Sequence, residues 1–533
     1  MDSEVSYPGR CGTVSALCRV GEVGALIQAL KSGLSPEVAD NRGWYATHEA
    51  AFSNQALCIR TLFQHSRTAI DPNWQAFDGS TALLIACRRS HLESCQALLD
   101  NSADPNLGST DQMRPLIAGV SSAAITELLL SSGADPSLSY FNGWTAVHEA
   151  CYLGCLQSLR LLLDHDASVD TRDSEGLTPL FVCAQYGRED CMKVLLRKLN
   201  HAPSAALLTN IGAYDGASAV YISAQEGYSD CLRLLLQFGA NANDLTGDNV
   251  HPLVPAAKRN YTRCIRLLLP ETDLNVVKNS AEDPVYVAVE EGKTDALKML
   301  LNAGFPVNRR TKYSCLSTVY FYLAPLLNRP TLSPLGIAIG KVQLEHMEML
   351  LERGAQSTCG SHNCHSPLLF AVLKRKEPKV LQSLIAHGTD LNFVSENSYY
   401  AVPDAMLLGA HPLYREQLVL MLRYGLKPCL SNWCQCETGA GQSALLTELR
   451  RVLTDSEMEE LLLLVVQYER QFPTCCQLWR QFTAQIRSNG FRTLGELCRL
   501  EMRREISCKQ LFDRSWPGFQ ILPSELVDFL LYQ

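Results

Sequence analysis

The 533-residue sequence lacks three features that would each indicate a class of protein. Its longest strongly apolar stretch, residues 461–466, is far shorter than the ~20 residues that a membrane-spanning helix requires. It has no excess of positive charge, because 47 Lys and Arg residues face 55 Asp and Glu residues, whereas a nucleic-acid binder usually presents a basic surface. Residues 1–10 contain no apolar run behind a basic patch, so we expect no secretory signal. These absences predict an intracellular protein, cytoplasmic with the nucleus as a second compartment, that neither inserts into membranes nor binds nucleic acid.

Motifs of the common catalytic sites are also missing. The sequence has no Gly-x4-Gly-Lys-Ser/Thr phosphate loop, no Gly-x-Ser-x-Gly elbow and no His-Glu-x2-His pair. The residue types of a metal site occur together at Cys359, His362, Cys364 and His365. This cluster lacks the two paired knuckles of a zinc finger. We therefore expect no catalytic residue, no metal and no cofactor. The alternative is a metalloenzyme whose metal is bound by this cluster.

The 21 cysteines are an odd number and are spread along the chain. In a reducing compartment a free cysteine behaves as a small apolar residue that packs in the core. The sequence therefore predicts core packing for nearly all of them rather than a framework of disulfides.

An internal repeat organises most of the chain. Residues 41–51 and 141–151 both contain Gly-Trp, three further residues and then His-Glu-Ala. The same position of the repeat recurs at Ala46, Ala82, Pro115, Ala146, Pro179, Ala219, Pro252, Pro284, Pro334, Pro367 and Pro403. The steps return to 33 residues, which is the ankyrin period. His48 and His148 lie in the turn of the repeat, where we expect the imidazole to bond to neighbouring backbone.

Each unit is predicted to contain an Ala-rich first helix, a Leu-rich second helix and a closing Gly-Ala-Asp type of turn. Because no unit can bury its apolar face alone, its stability must come from stacking on its neighbours. Residues 13–40 have the helix break and the closing turn of one more, degenerate unit, as in an N-terminal cap. We therefore predict an all-α ankyrin-repeat solenoid of about eleven to twelve units, with a capping region at 1–40 and the array at 41–428. Two long steps predict insertions around 200–209 and 311–329.

The repeat pattern stops after residue 428. Residues 429–488 contain further helical stretches, which we expect to seal the end of the stack. Residues 489–533 form a last segment with two amphipathic helices. The first of them carries Leu494, Leu497, Cys498 and Met502 on one face, and the second follows Leu522 and Pro523 and carries Leu526 and Leu530.

This last segment resembles a known module. The spacing of Thr493, Leu494, Cys498 and Met502 resembles the BC box, which is the Elongin C-binding helix of SOCS boxes. The Leu-Pro…Leu-Leu-Tyr ending resembles the cullin-contacting half of the same module. Ankyrin repeats followed by a C-terminal SOCS box resemble the ankyrin-repeat and SOCS-box family over nearly the whole chain.

Members of this family act as substrate receptors of cullin-RING ubiquitin ligases. The resemblance implies that the first helix of the box binds Elongin C, which Elongin B accompanies, and that the second recruits cullin-5 and its RING partner. It also implies that the repeats hold an unknown target protein for ubiquitination and proteasomal degradation, without catalytic residues of their own. The alternative is an ankyrin scaffold whose terminal helices only cap the stack.

Large aromatic residues mark the candidate substrate surface. In an ankyrin unit the residue after the turn glycine projects from a finger-like tip towards the concave face, and in two units that residue is tryptophan. The candidate residues are Arg42, Trp44, Phe77, Phe141 and Trp144, with Tyr140 beside them. Each tryptophan has two interpretations: it packs on the adjacent finger, or it belongs to a substrate groove over the first five units.

One departure from the family pattern generates a prediction. Residues 520–523 read Gln-Ile-Leu-Pro, where the family often has Leu-Pro-Leu-Pro. We expect weaker cullin binding than in a relative with both prolines, and Gln520→Leu combined with Ile521→Pro should tighten it. Calorimetry on the reconstituted Elongin complex measures this affinity, and an unchanged value would contradict the prediction.

Overall fold

The computed structural model describes residues 12–200, 210–309, 333–357, 378–391 and 421. The predicted insertions, the repeats that begin at Pro367 and Pro403, the Cys359–His365 cluster and residues 429–533 lie outside these described residues, apart from residue 200 and one helix of the Pro367 repeat. Among the described residues the regular secondary structure is helical, with two isolated β-bridges that pair Gln75 with Thr81 and Ser139 with Thr145. The predicted all-α ankyrin solenoid is confirmed.

The helices are numbered here in chain order. They are α1 Thr13–Val20, α2 Val23–Lys31, α3 Ala46–Phe52, α4 Ala56–His65, α5 Ala82–Arg88, α6 Leu92–Leu99, α7 Pro115–Gly119, α8 Ala123–Ser131, α9 Ala146–Leu153, α10 Leu156–Asp164, α11 Pro179–Tyr186, α12 Glu189–Asn200, α13 Ala219–Glu226, α14 Ser229–Gln237, α15 Leu253–Lys258, α16 Thr262–Leu268, α17 Leu274–Asn279, α18 Pro284–Glu290, α19 Thr294–Asn302, α20 Pro334–Gly340, α21 Leu344–Glu352 and α22 Pro378–Ala386. A 3-10 turn, Leu269–Glu271, follows α16. The chain forms two compact units, of which the first comprises Met1–Ala256 and Arg263–Val277 and the second Ala257–Thr262 and Lys278–Gln533.

The register of the repeat is confirmed at the start of each described first helix. Helices α3, α5, α7, α9, α11, α13, α18 and α20 begin at the residues that the sequence pattern marked, and α15 begins one residue after Pro252. The residue before the marked position caps the helix: the Thr81 hydroxyl accepts a bond from Leu84 N (3.1 Å), and the Ser218 hydroxyl one from Tyr221 N (3.2 Å). Proline is tolerated at the marked position because the first helical N–H has no partner within the helix.

Two helices lie in the region where the sequence predicted a degenerate N-terminal unit. Helix α1 ends at Gly21, whose φ of +85° is a left-handed conformation that glycine adopts without strain. Helix α2 follows, and the two pack on α3 and α4 of the next unit. The cap role of this unit stays a prediction.

Leucine layers between successive second helices form the core. Leu62, Leu98, Leu129 and Leu162 lie on α4, α6, α8 and α10, and each is fully buried. Burial of such a side chain contributes roughly 1.5–3 kcal/mol. The ten described cysteines are free thiols, and all except Cys155 are buried, so the expected core packing is confirmed for them.

Two buried histidines, His48 and His148, bond to neighbouring backbone as the sequence predicted, and each also connects its turn to the next unit. Tyr45 N donates to His48 Nδ1 (3.2 Å), and His48 Nε2 bonds Ser80 O of the next unit (3.1 Å). His148 repeats this arrangement, because its Nδ1 accepts from Thr145 N (3.2 Å) and its Nε2 bonds Leu177 O (3.1 Å). Burial lowers the pKa of both imidazoles, so the neutral form fills these sites.

These histidines predict that the array loses stability in mild acid. Burial also lowers the pKa of His251, to about 4, whereas an unfolded histidine titrates near pH ~6.5. The unfolded chain therefore binds more protons below that pH, so stability is present above pH ~6.5 and falls as the pH drops, by roughly 2 kcal/mol at pH ~5 for His251 alone. Thermal unfolding at stepped pH values measures this slope. His251→Gln should flatten it, and an unchanged slope in that variant would contradict the prediction.

Candidate protein-binding surface

A loop with a tight turn precedes each first helix from α3 to α15, and we call this loop a finger. In the first compact unit the fingers turn at Gly43, Gly79, Gln112, Gly143, Gly176, Gly216 and Asn249, with φ between +58° and +83°. A Cβ on Gly43 would lie 2.8 Å from Phe77 N of the next finger. The next finger therefore lies too close for a side chain at residue 43, whereas Gln112 and Asn249 occupy the same position of other fingers.

Backbone hydrogen bonds connect neighbouring fingers. Phe77 N donates to Arg42 O (3.0 Å), and the equivalent bond joins Ser174 N to Asn142 O (2.7 Å). The Tyr140 hydroxyl connects its finger to the preceding one by donating to Asp111 Oδ2 (3.0 Å). This network fixes the backbone, so the side chains on the fingers and first helices decide what the surface binds.

Trp44 lies along the first helix of its own unit. Its ring centroid is 6.2 Å from that of His48 and 5.4 Å from that of Phe52, both on α3. The Arg42 guanidinium carbon lies 3.8 Å from the centroid of the Trp44 ring. Trp44 is therefore a half-buried residue that stacks between its own helix and a cation from its own finger.

Glu49 stabilises the position of Arg42 over the Trp44 ring. Its side chain is only 2% exposed, and its carboxylate bonds the guanidinium of Arg42. Arg19 on α1 makes two further bonds, Nη2 to Oε1 at 2.7 Å and Nε to Oε2 at 2.9 Å. Asp40 also bonds Arg42 (Nη2 to Oδ2, 2.7 Å). Two cations therefore compensate the buried carboxylate of Glu49, as a desolvated charge requires.

Trp144 makes a related but different set of contacts. Its ring centroid is 5.1 Å from that of His148 and 6.4 Å from that of Tyr152 on α9. Its Nε1 donates to Glu149 Oε2 (2.9 Å). Burial raises the pKa of Glu149, and the hydrogen bond from Trp144 offsets part of this rise. The Tyr152 ring packs edge to face on the ring of Tyr186 in the next unit, with 4.8 Å between the two ring centroids.

The remaining predicted residues lie at the finger tips. Phe77 is 76% exposed and Phe141 67% exposed. Tyr214 occupies the same position of its finger and is 70% exposed, although the sequence reasoning did not single it out. Exposed aromatic rings of this size are typical of surfaces that bind other proteins.

Sequence reasoning also missed two rings that contact the tryptophans and a third, Tyr186, that contacts Tyr152. Phe52, Tyr152 and Tyr186 lie near the ends of first helices, and the Arg89 guanidinium carbon is 3.7 Å from the centroid of the Phe52 ring. The available signal was the four-residue spacing of Trp44, His48 and Phe52, which repeats one hundred residues later and places such residues on one helix face.

Neither a metal site nor a membrane-spanning helix is present in the part of the chain that the structure describes. No three His, Cys, Asp or Glu side chains there lie close enough together to hold a metal ion. No helix in that part is both long and apolar enough to cross a membrane.

Known proteins that are similar to this chain also contain ankyrin repeats. A family model described as ankyrin repeats (3 copies) matches residues 16–109, 116–206, 200–276 and 220–311, more than half of the chain. The chain is 33% identical over 189 residues to Ankyrin repeat and SOCS box protein 3 of Bos taurus, which covers 35% of this chain and 36% of that relative. It is 26% identical over 306 residues to Ankyrin repeat and SOCS box protein 14 of Mus musculus, with 53% and 49% covered. SH3 and multiple ankyrin repeat domains protein 2 of Homo sapiens is 34% identical over 128 residues, with 23% and 7% covered. The chain thus spans about a third to a half of its two SOCS box relatives.

The different surroundings of the two glutamates predict different effects of the same substitution. Glu49→Gln removes a buried charge that two arginines bond, and should lower the free energy of unfolding by about 2 kcal/mol. Glu149→Gln keeps the bond from Trp144 and should change it by less than about 0.5 kcal/mol. Urea denaturation of the two variants tests this, and equal losses would contradict it.

Proposed function

We propose, from the premise that this chain belongs to the ankyrin-repeat family and is related to the ankyrin repeat and SOCS box proteins, that it is the substrate-recognition subunit of an Elongin–cullin–SOCS-box ubiquitin ligase. The coarser part of this function is that of a protein-binding adaptor. The finer part is that the bound protein is brought to a ubiquitin-transfer machinery, which consists of Elongin B, Elongin C, cullin-5 and its RING partner.

The finger and first-helix surface supports the adaptor role. Rings such as Phe77 and Trp144 stay exposed or half-exposed on a backbone that hydrogen bonds hold in place. A rigid surface loses little conformational entropy on binding, and aromatic anchors supply much of the affinity at protein interfaces. The predicted substrate-binding residues Arg42, Trp44, Phe77, Phe141 and Trp144 remain a proposal.

The box-like sequence near the end of the chain carries the ligase role. Leu494 and Cys498 lie four residues apart, so on a helix they share one face and can enter an apolar groove of Elongin C. Leu497 and Met502 extend that face. Leu522, Pro523, Leu526 and Leu530 supply the proposed cullin contact.

In this function the chain performs no bond chemistry. A receptor that holds a target beside the charged ubiquitin-conjugating enzyme raises the effective concentration of target lysines near the thioester. The rate then depends on which surface the target occupies and on how the box is docked. An ankyrin scaffold without ligase recruitment stays the alternative, because repeats of this kind also occur in a relative with a different domain name.

Loss of Elongin binding on substitution of the box tests the proposal. Leu494→Pro places proline inside the predicted helix, at a cost of ~3 kcal/mol, and Cys498→Phe puts a large ring where a small anchor is needed. Both variants should lose Elongin B and C in co-purification while the ankyrin stack stays folded. Arg503→Gln, on the opposite side of the same predicted helix, is the matched control and should keep them. Wild-type yields of Elongin B and C with a Leu494/Cys498 double variant would leave the scaffold as the better reading.

A further inference from the structure

Two units of the array carry corresponding aromatic and acidic residues, but the side chains that surround these residues differ between the two units. Trp44, Glu49 and Phe52 occupy the same positions of their unit as Trp144, Glu149 and Tyr152 do of theirs, each exactly one hundred residues later. The two sites therefore form an internal comparison on one backbone.

The first site is filled by cations of the chain itself. Arg42 lies over Trp44, Arg89 lies over Phe52, and Arg19 bonds Glu49. Each ring thus has a guanidinium on one face, and the carboxylate has guanidinium partners. This arrangement shows which ligand such a set of side chains accepts.

The second site has no counterpart of the three arginines that contact the first site. The residues at the positions of Arg42 and Arg89 are Asn142 and Tyr186, and α7, which takes the place of α1, ends at Gly119 and carries no arginine. Glu149 is half-buried and accepts the Trp144 indole N–H, and none of the ion pairs of the described residues includes it. Arg188 is the cation close to these residues, but its Nε donates to the Tyr152 carbonyl (3.0 Å).

We propose that Trp144, Glu149, Tyr152 and Tyr186 form a site for an arginine side chain of a partner protein. The guanidinium would stack on the Trp144 ring and bond the free carboxylate oxygen of Glu149, as Arg42 does in the first site. This inference deepens the proposed function, on which it rests for the identity of the partner as a ligase target.

The chemistry of the site selects its ligand. A partly desolvated carboxylate repels phosphate and acidic side chains and gains from a cation that brings its own hydrogen bonds. A planar guanidinium stacks on an aromatic face and donates from its edge at the same time, whereas a lysine ammonium is a compact, strongly hydrated charge. His148 beneath Trp144 is buried and bonded at both nitrogens, so it does not compete as a cation.

Indole N–H NMR signals of the full chain, with 15N-labelled tryptophan, give a direct test. The sequence has six tryptophans, and Trp144→Phe identifies the relevant signal. The probes are capped glycine peptides with one central arginine, lysine or citrulline, since citrulline has the shape of arginine without its charge. The arginine peptide should shift the Trp144 signal saturably, and the citrulline peptide should not.

Matched variants separate the site from non-specific binding. Glu149→Gln should weaken the arginine peptide about tenfold, and Asn142→Arg, which supplies the cation that Arg42 supplies in the first site, should weaken it at least as much. Glu49→Gln should leave the Trp144 response unchanged. Circular dichroism and melting temperature confirm that each variant is folded.

Several results would overturn the proposal. Equal shifts from citrulline and arginine, equal affinity for lysine, or unchanged binding in folded Glu149→Gln or Asn142→Arg would each do so. Elongin co-purification is measured separately on the same samples. Arginine binding without Elongin binding would therefore reject the ligase role and keep the site, and the opposite pair of results would reject the site alone.

Discussion

Close stacking of neighbouring units is the constraint on which the rest of this structure depends. One helix pair buries its leucines only against the next pair, so Leu62 and Leu98 stabilise the fold jointly rather than separately. The same closeness requires a left-handed residue at every described finger of the first compact unit and leaves room for glycine at Gly43. His48 completes the connection by bonding a carbonyl of the following unit from a fully buried position.

A backbone fixed in this way separates stability from recognition. The fingers and first helices keep their positions whatever side chains they carry, so an exchange such as Arg42 for Asn142 changes the surface and leaves the frame intact. In one unit Trp44, Glu49 and Phe52 contact arginines of the chain, and in another the half-buried Glu149 accepts the indole N–H of Trp144 instead. An array of near-identical units can thus offer one surface that is internally satisfied and one that is open to a partner.

The periodic features were predictable because they follow from local chemistry. Helix starts at Ala46, Ala82 or Pro179 are set by a capping residue and the turn before it, and both are visible in the sequence. The backbone role of His48 and His148 was predictable for the same reason. The rings of Phe52 and Tyr152 were not predicted, because they lie on the helix face that follows each tryptophan and not at the finger tips, and Tyr186 contacts Tyr152 from the next unit.

The sequence by itself determined the repeat, its register and its all-α class, because each of these depends on residues within about one repeat of one another. Only the tertiary structure decided which ring meets which cation. Arg89 reaches Phe52 from the next unit, and Arg19 reaches Glu49 from the preceding one. Such pairs depend on the separation and rotation between stacked units, which residue spacing does not specify.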